Sequence, residues 1–156
     1  MKMELKYETV MPLTLRTIVI NPPPGVDFGI QEGKGNDYKT IAIQRSKVGD
    51  LTLECTITVK GNRDEGPPNF VGPISQGPPT GRFIYIDIGK SAGQFDSCWQ
   101  RRIKIPLGGI TWEMIDSVLD SPKRLLQATI PGTGKDGCPS CATVKPIDGW
   151  KVVKKR

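Results

Sequence analysis

LTLECTITVK (Leu51–Lys60) alternates without a break: Leu51, Leu53, Cys55, Ile57 and Val59 fall on one face, and Thr52, Glu54, Thr56, Thr58 and Lys60 on the other. Period-two alternation over ten residues predicts a half-buried antiparallel strand, apolar toward a core and polar toward water. The same pattern recurs outward in both directions. LTLRTIVI (Leu13–Ile20), TIAIQR (Thr40–Arg45), RFIYIDI (Arg82–Ile88) and WQRRIKIPL (Trp99–Leu107) read alike, and RLLQATI (Arg124–Ile130), ATVK (Ala142–Lys145) and WKVV (Trp150–Val153) are shorter candidates. About eight strands separated by Gly, Pro, Asn and Asp predict an all-β, mainly antiparallel fold, either a barrel or a two-sheet sandwich. Leu53, Ile57, Ile84, Ile86, Ile103, Ile105 and Trp112 are the expected core.

One segment departs from this period. GGITWEMIDSVLDSP carries Thr111 as an N-cap and Glu113 in the first turn, where the helix dipole favours an acid. Trp112, Ile115, Val118 and Leu119 then form a stripe at helical spacing, which predicts a single helix over 111–120 covering one side or end of the sheet.

Composition narrows the chemistry. The chain has 156 residues, the size of one domain spanning 1–156, and 14 prolines and 18 glycines alternate with the patterned runs rather than forming a low-complexity tract. Histidine is absent, which removes the commonest general base, the Ser-His and Cys-His nucleophile pairs and most catalytic zinc sites. The net charge of +6 comes largely from the basic tail 151–156 and from Lys and Arg dispersed along strands. No basic stripe or basic–aromatic cluster accompanies it, so nucleic acid is not the expected partner. The start, MKMELKYETVMPLTL, scatters charges through what a signal peptide would keep apolar, and no run approaches the ~18–20 apolar residues of a membrane span. A cytoplasmic protein without membrane contact, its four cysteines reduced, is the expectation. Nothing in the sequence specifies an oligomeric state.

Three motif matches fail on context. GTGKDG (Gly132–Gly137) fits G-x-G-x-x-G, but CPSCATVKP follows where a helix must open. GIQEGKGND has glycine spacing one residue short of a P-loop, and Gly35 stands where magnesium needs Ser or Thr; backbone N–H groups around Gly33–Gly35 could still form an anion nest. Cys138 and Cys141 form a C-x-x-C with no third or fourth ligand nearby, so neither a metal nor any other cofactor is expected.

What remains is loops with unusual content: NPPPGVDFGIQEGKGNDY (21–38), PNFVGPISQGPPTGRF (68–83), which overlaps the Pro/Gly-rich 61–81 loop, and GKSAGQFDSCWQRR (89–102). Prolines hold such loops in one shape and glycines allow close backbone approach. The main reading is a binding module that holds a small polar or anionic molecule at a loop-lined end of the β scaffold. Its candidate residues are Asp27 and Phe28 from the first loop, Lys34, Gln76 and Arg82 as donors, and Asp96, Trp99 and Arg101 from the third, with Phe28 or Trp99 as an aromatic platform. Arg101 shares the apolar face of Trp99, Ile103, Ile105 and Leu107, so it either forks onto a carboxylate such as Asp96 or onto loop carbonyls and fixes the rim, or meets an anion on the ligand. Two alternatives are a histidine-free hydrolase or isomerase using Asp27, Asp87 or Asp96, and a protein-interaction or inhibitor module presenting Phe70 from the 61–81 loop.

The blocks NPPPGVDFGIQEGKG, GPISQGPPTGRFIYIDIG, CWQRRIKIPLGGITWEMI, PGTGKDG and CATVKPIDGWKV together resemble an uncharacterised bacterial family known only as a domain of unknown function. The resemblance runs from about Thr14 to Val153. It implies a bacterial single-domain protein and supplies no catalytic residues. In the family pattern Cys141 belongs to a recurring block and Cys138 does not, which makes the C-x-x-C incidental.

Overall fold

A computed structural model describes residues 8–22, 24–32, 39–72, 82–88, 102–132 and 142–155. Within them the chain forms β1 (Thr9–Ile20), β2 (Asp27–Glu32), β3 (Lys39–Arg45), β4 (Leu51–Gly61), β5 (Asn69–Val71), β6 (Phe83–Ile88), β7 (Arg102–Pro106), α1 (Trp112–Leu119), β8 (Arg124–Pro131), β9 (Ala142–Thr143) and β10 (Lys151–Lys154). The strands divide into two open five-stranded sheets, β10-β8-β1-β4-β5 and β3-β2-β6-β7-β9. Neither sheet closes on itself, so the architecture is the two-sheet sandwich rather than the barrel.

The first sheet is built on β1 and β4, which pair antiparallel from Thr9↔Gly61 to Val19↔Leu51 without a slip. Leu13, Leu15 and Val19 of β1 face Leu53, Cys55, Ile57 and Val59 of β4 across one buried layer. On its other side β1 takes β8 in parallel, with Leu126, Ala128 and Ile130 continuing the apolar face. The second sheet turns Phe28, Ile30, Ile84, Ile86, Ile88, Ile103 and Ile105 into the same core. All pairings are antiparallel except β1–β8 and β7–β9.

Helix α1 begins as its sequence requires, with the Thr111 hydroxyl accepting from the Met114 N–H at 3.2 Å. It packs against β8 and β10 and sends Ile115 and Val118 into the core. Six of the seven expected core residues are buried; the seventh, Trp112, is half-buried because its indole closes a turn rather than filling the interior.

Two strands stand where the sequence reads as loop. β2 occupies DFGIQE, and β5 occupies NFV inside the Pro/Gly-rich stretch. NPPPGVD is therefore a crossing from the first sheet to the second. Gly25, at φ 81°, donates to the Ser46 carbonyl, while the Ser46 amide and hydroxyl bind the Val26 carbonyl and amide. That three-bond clasp aims the chain into β2.

Candidate functional site

A cleft of about 400 Å³ opens at the end of the sandwich where β4 ends, β5 and β6 begin and β7 ends. One wall is Pro67, Pro68, Asn69 and Phe70. The β4–β5 turn before it is held in shape locally: the Asn62 side chain accepts from the Asp64 N–H at 2.9 Å, and the Asn62 carbonyl from the Glu65 N–H at 3.0 Å. Gly61 sits at φ 147°, a conformation other residues resist, with Trp112 3.1 Å from where a Cβ would lie. The Trp112 indole donates to the Gly66 carbonyl at 2.8 Å, and the Arg63 guanidinium lies 5.4 Å from the ring while pairing with Asp116 at 2.6 Å. The helix thus staples the turn, and the turn sets the wall.

The facing wall comes from Arg82 and Phe83 at the start of β6 and from Pro106, Leu107, Gly108 and Ile110 after β7. Leu107 N–H donates to the Arg82 carbonyl at 2.8 Å, and Ile110 N–H to the Leu107 carbonyl at 3.0 Å, which turns the chain across the cleft. The buried Trp150 indole holds the Pro106 carbonyl at 2.8 Å from behind. Phe70, Leu107 and Ile110 are buried and make an apolar floor, while Asn69 and Arg82 are exposed. Among the described lining residues Arg82 is the cationic one. Beside it, Lys104 Nζ stands 4.8 Å over the Phe83 ring, which meets Tyr85 edge-on at 6.5 Å.

The other described candidates lie elsewhere. Asp27 stands near the far end of β6, since Phe28 pairs with Ile88 and Phe83 with Pro106. The length of β6, roughly 20 Å, separates it from Arg82. Asp27 and Arg82 therefore do not share a rim, contrary to the expectation from sequence. Asp27 is held by a fork from Arg45, Nε at 2.8 Å and Nη2 at 3.1 Å, and this hydrogen-bonded cation keeps its carboxyl below the ordinary range. The aromatic platform expected of Phe28 is corrected too: strand parity turns the ring inward, where it is fully buried in the core. Lys34, Gln76, Asp96, Trp99 and Arg101 fall outside the described residues, as do Cys98, Cys138 and Cys141.

Asp27 and Asp87, two of the three carboxylates weighed for an enzyme, line one groove of about 250 Å³ on the outward face of the second sheet, with Gly29, Thr40 and Ile43. Thr40 Oγ1 donates to Asp87 Oδ2 across it at 2.9 Å. Among the described residues no group of three or more Cys, Asp or Glu side chains is placed to hold a metal. Cys55 is a free thiol whose burial, helped by the Glu54 charge, pushes its pKa up to about 12, leaving it protonated and inert at neutral pH. No helix among the described residues is long and apolar enough to cross a membrane.

The sequence named Arg82 and the apolar anchor Phe70 but missed the part of the facing wall that runs from Pro106 to Ile110. PLGGI, a turn with apolar residues at both ends directly after a strand, was the available signal. Comparison with curated proteins and with solved structures gave no match. A family model does match, over residues 13–153, and by that match the chain belongs to DUF5990, a family of unknown function.

Proposed function

We propose that the protein is a binding module holding a small organic anion with an apolar body in the cleft between the β4–β5 turn and the β6 and β7 ends. One observation carries the reading: a stapled cleft of about 400 Å³ combines a buried Phe70–Leu107–Ile110 floor with a guanidinium at its mouth. Pockets of this size, mostly apolar with few polar groups, suit small ligands, and Arg geometry suits a carboxylate or phosphate. Asn69 adds a carboxamide for orientation. The reading takes the protein as bacterial and cytoplasmic; the resemblance of its sequence blocks and the free, inert thiol of Cys55 support this.

Among the described residues no carboxylate lines this cleft, so the acid–base pair of a histidine-free hydrolase has no support there. Phe70 is only 4% exposed, which removes the feature that would favour the interaction module. The test is a titration of isotope-labelled protein with benzoate, octanoate and uncharged benzamide. Saturable shifts at Asn69, Phe70, Phe83 and Ile110 from the two anions, weakened by Arg82→Met, are expected. Shifts scattered over the surface, or equal binding of benzamide, would refute it.

A further inference from the structure

The basic run 151–155 lies apart from the cleft, at the other edge of the first sheet from β5. β10 has β8 on one side, and among the described residues no strand on the other. Its register with β8, from Lys151↔Gln127 to Lys154↔Arg124, continues one step further, since the Lys155 N–H donates to the Lys123 carbonyl. In an antiparallel ladder, hydrogen-bonded pairs alternate with pairs whose backbone groups turn the other way. Lys151, Val153 and Lys155 therefore bond toward β8, while the N–H and C=O of Val152 and of Lys154 point to the open edge. Backbone groups so placed are a template for a further strand.

The side chains around this edge indicate which strand fits. Lys151, Lys154 and Lys155 are exposed along it, with Val152 and Val153 half-buried between them. Arg124 and Lys123 stand level with Lys154 and Lys155, so cation faces cation across two successive rungs. Like charges set opposite each other destabilise a sheet. Arg124 turns its guanidinium aside to the Ser117 carbonyl at 3.0 Å. Lys123, Lys154 and Lys155 have no such outlet: among the described residues no carboxylate lies within ion-pair range of them, and Lys151 reaches only Asp148, at 3.9 Å. Lysines on an edge strand also guard it against chance pairing. Those of β10 suffice for that, and the cations level with them add repulsion to the fold itself. A second copy of the chain fits poorly, because antiparallel pairing over the whole of 151–155 sets Lys151 opposite Lys155.

We propose that the β10 edge is a docking site for an extended acidic peptide segment of a partner protein. The segment adds an antiparallel strand to the first sheet, with carboxylates opposite Lys151, Lys154 and Lys155 and apolar residues opposite Val152 and Val153. Main-chain bonds to Val152 and Lys154 supply affinity, and the charge pattern selects the sequence. A nucleic acid strand would meet the same lysines but offers no ladder of amides to the backbone between them.

The test uses the unmodified protein and a blocked Glu-Glu-Val-Val-Glu peptide, whose second and fourth residues would face Lys154 and Val152. Water-exchange rates of the Val152 and Lys154 amides, read from proton–nitrogen correlation spectra, are expected to be fast in the free protein and to slow at least about tenfold at saturating peptide. The same peptide N-methylated at its second and fourth residues forfeits two main-chain donors and is expected to bind at least about tenfold more weakly. A Lys-Lys-Val-Val-Lys peptide is expected to leave the rates unchanged. Val152 and Lys154 amides already slow in the free protein, or rates unmoved by the acidic peptide, would overturn the proposal. So would equal binding of the methylated or the lysine peptide. A response to oligothymidylate matching or exceeding that to the peptide, confined to the lysine side chains, would mark a plain polyanion surface and overturn it as well.

Discussion

The two sheets of the sandwich solve different problems. In the first, β1 and β4 run eleven residue pairs without a slip, and every second side chain of β4 is buried. In the second, the β2–β3 register breaks at Gly29, Gly29 and Gln31 are buried on the face opposite Phe28 and Ile30, and the Gln31 amide has no hydrogen-bond partner among the described residues. One sheet is a regular scaffold; the other carries the irregularities. The end cleft follows the same division, since the first sheet supplies the stapled apolar wall and the second brings Arg82. Irregular, locally costly features persist where a fold has something to hold besides itself.

If the first sheet is the scaffold, cutting its core should hurt most. Ile57→Ala should cost about 2–5 kcal/mol in a urea titration, the range for truncating a fully buried side chain. Ile43→Ala on the second sheet, where the side chain is 57% exposed, should stay within about 0.5 kcal/mol. Similar losses at the two positions would erase the distinction.

Glycine substitutions sharpen the comparison at the next level. A Cβ at Gly132 would strike the Ile20 carbonyl and the backbone of Asn21 and Pro22, groups that cannot step aside. At Gly29 the obstacle is the Thr40 side chain, stiff and bonded to Asp87 but still a side chain. Gly132→Ala should therefore exceed Gly29→Ala, both falling near the overpacking range of about 1–3 kcal/mol by thermal melts. The reverse order would place the tighter constraint in the second sheet.

A smaller effect concerns acid. The Arg45 fork depresses the Asp27 pKa in the folded protein, so the pair stabilises above the unfolded carboxylate value of about pH 4. That contribution is lost as pH falls through the folded value. Asp27→Asn should flatten the acid limb of the stability curve slightly, and added salt should shrink the difference, because the pair is exposed. An unchanged acid limb would mean the fork does not persist in solution.

How legible all this was follows the same line. Alternation exposed β1 and β4 because each sets a buried apolar face against one that stays partly wet, and β6 and β8 because their letters alternate even though Tyr85 and Leu125 are buried on the second face. β2 escaped because DFGIQE offers a glycine and polar residues on a face that is buried as well, so no alternation of polarity survives. β5 is three residues long and lies among prolines and glycines, too short for any period to register. Helix α1 was readable from Thr111 and its stripe, yet the role of Trp112 was not, since its bond to Gly66 joins residues 46 apart in the chain. Asp27 and Arg82 were both named, but their separation is a matter of strand register, which composition does not encode.

The central claim is that the cleft between the stapled turn and the ends of β6 and β7 is where this protein holds its ligand. Anomalous diffraction from crystals soaked with para-bromobenzoate tests it most directly, because bromine marks its own position. The account predicts a bromine peak over the Phe70–Leu107–Ile110 floor with the carboxylate turned toward Arg82, and loss of the peak in Arg82→Met crystals. A peak elsewhere with the cleft empty, or one undiminished in Arg82→Met, would contradict it.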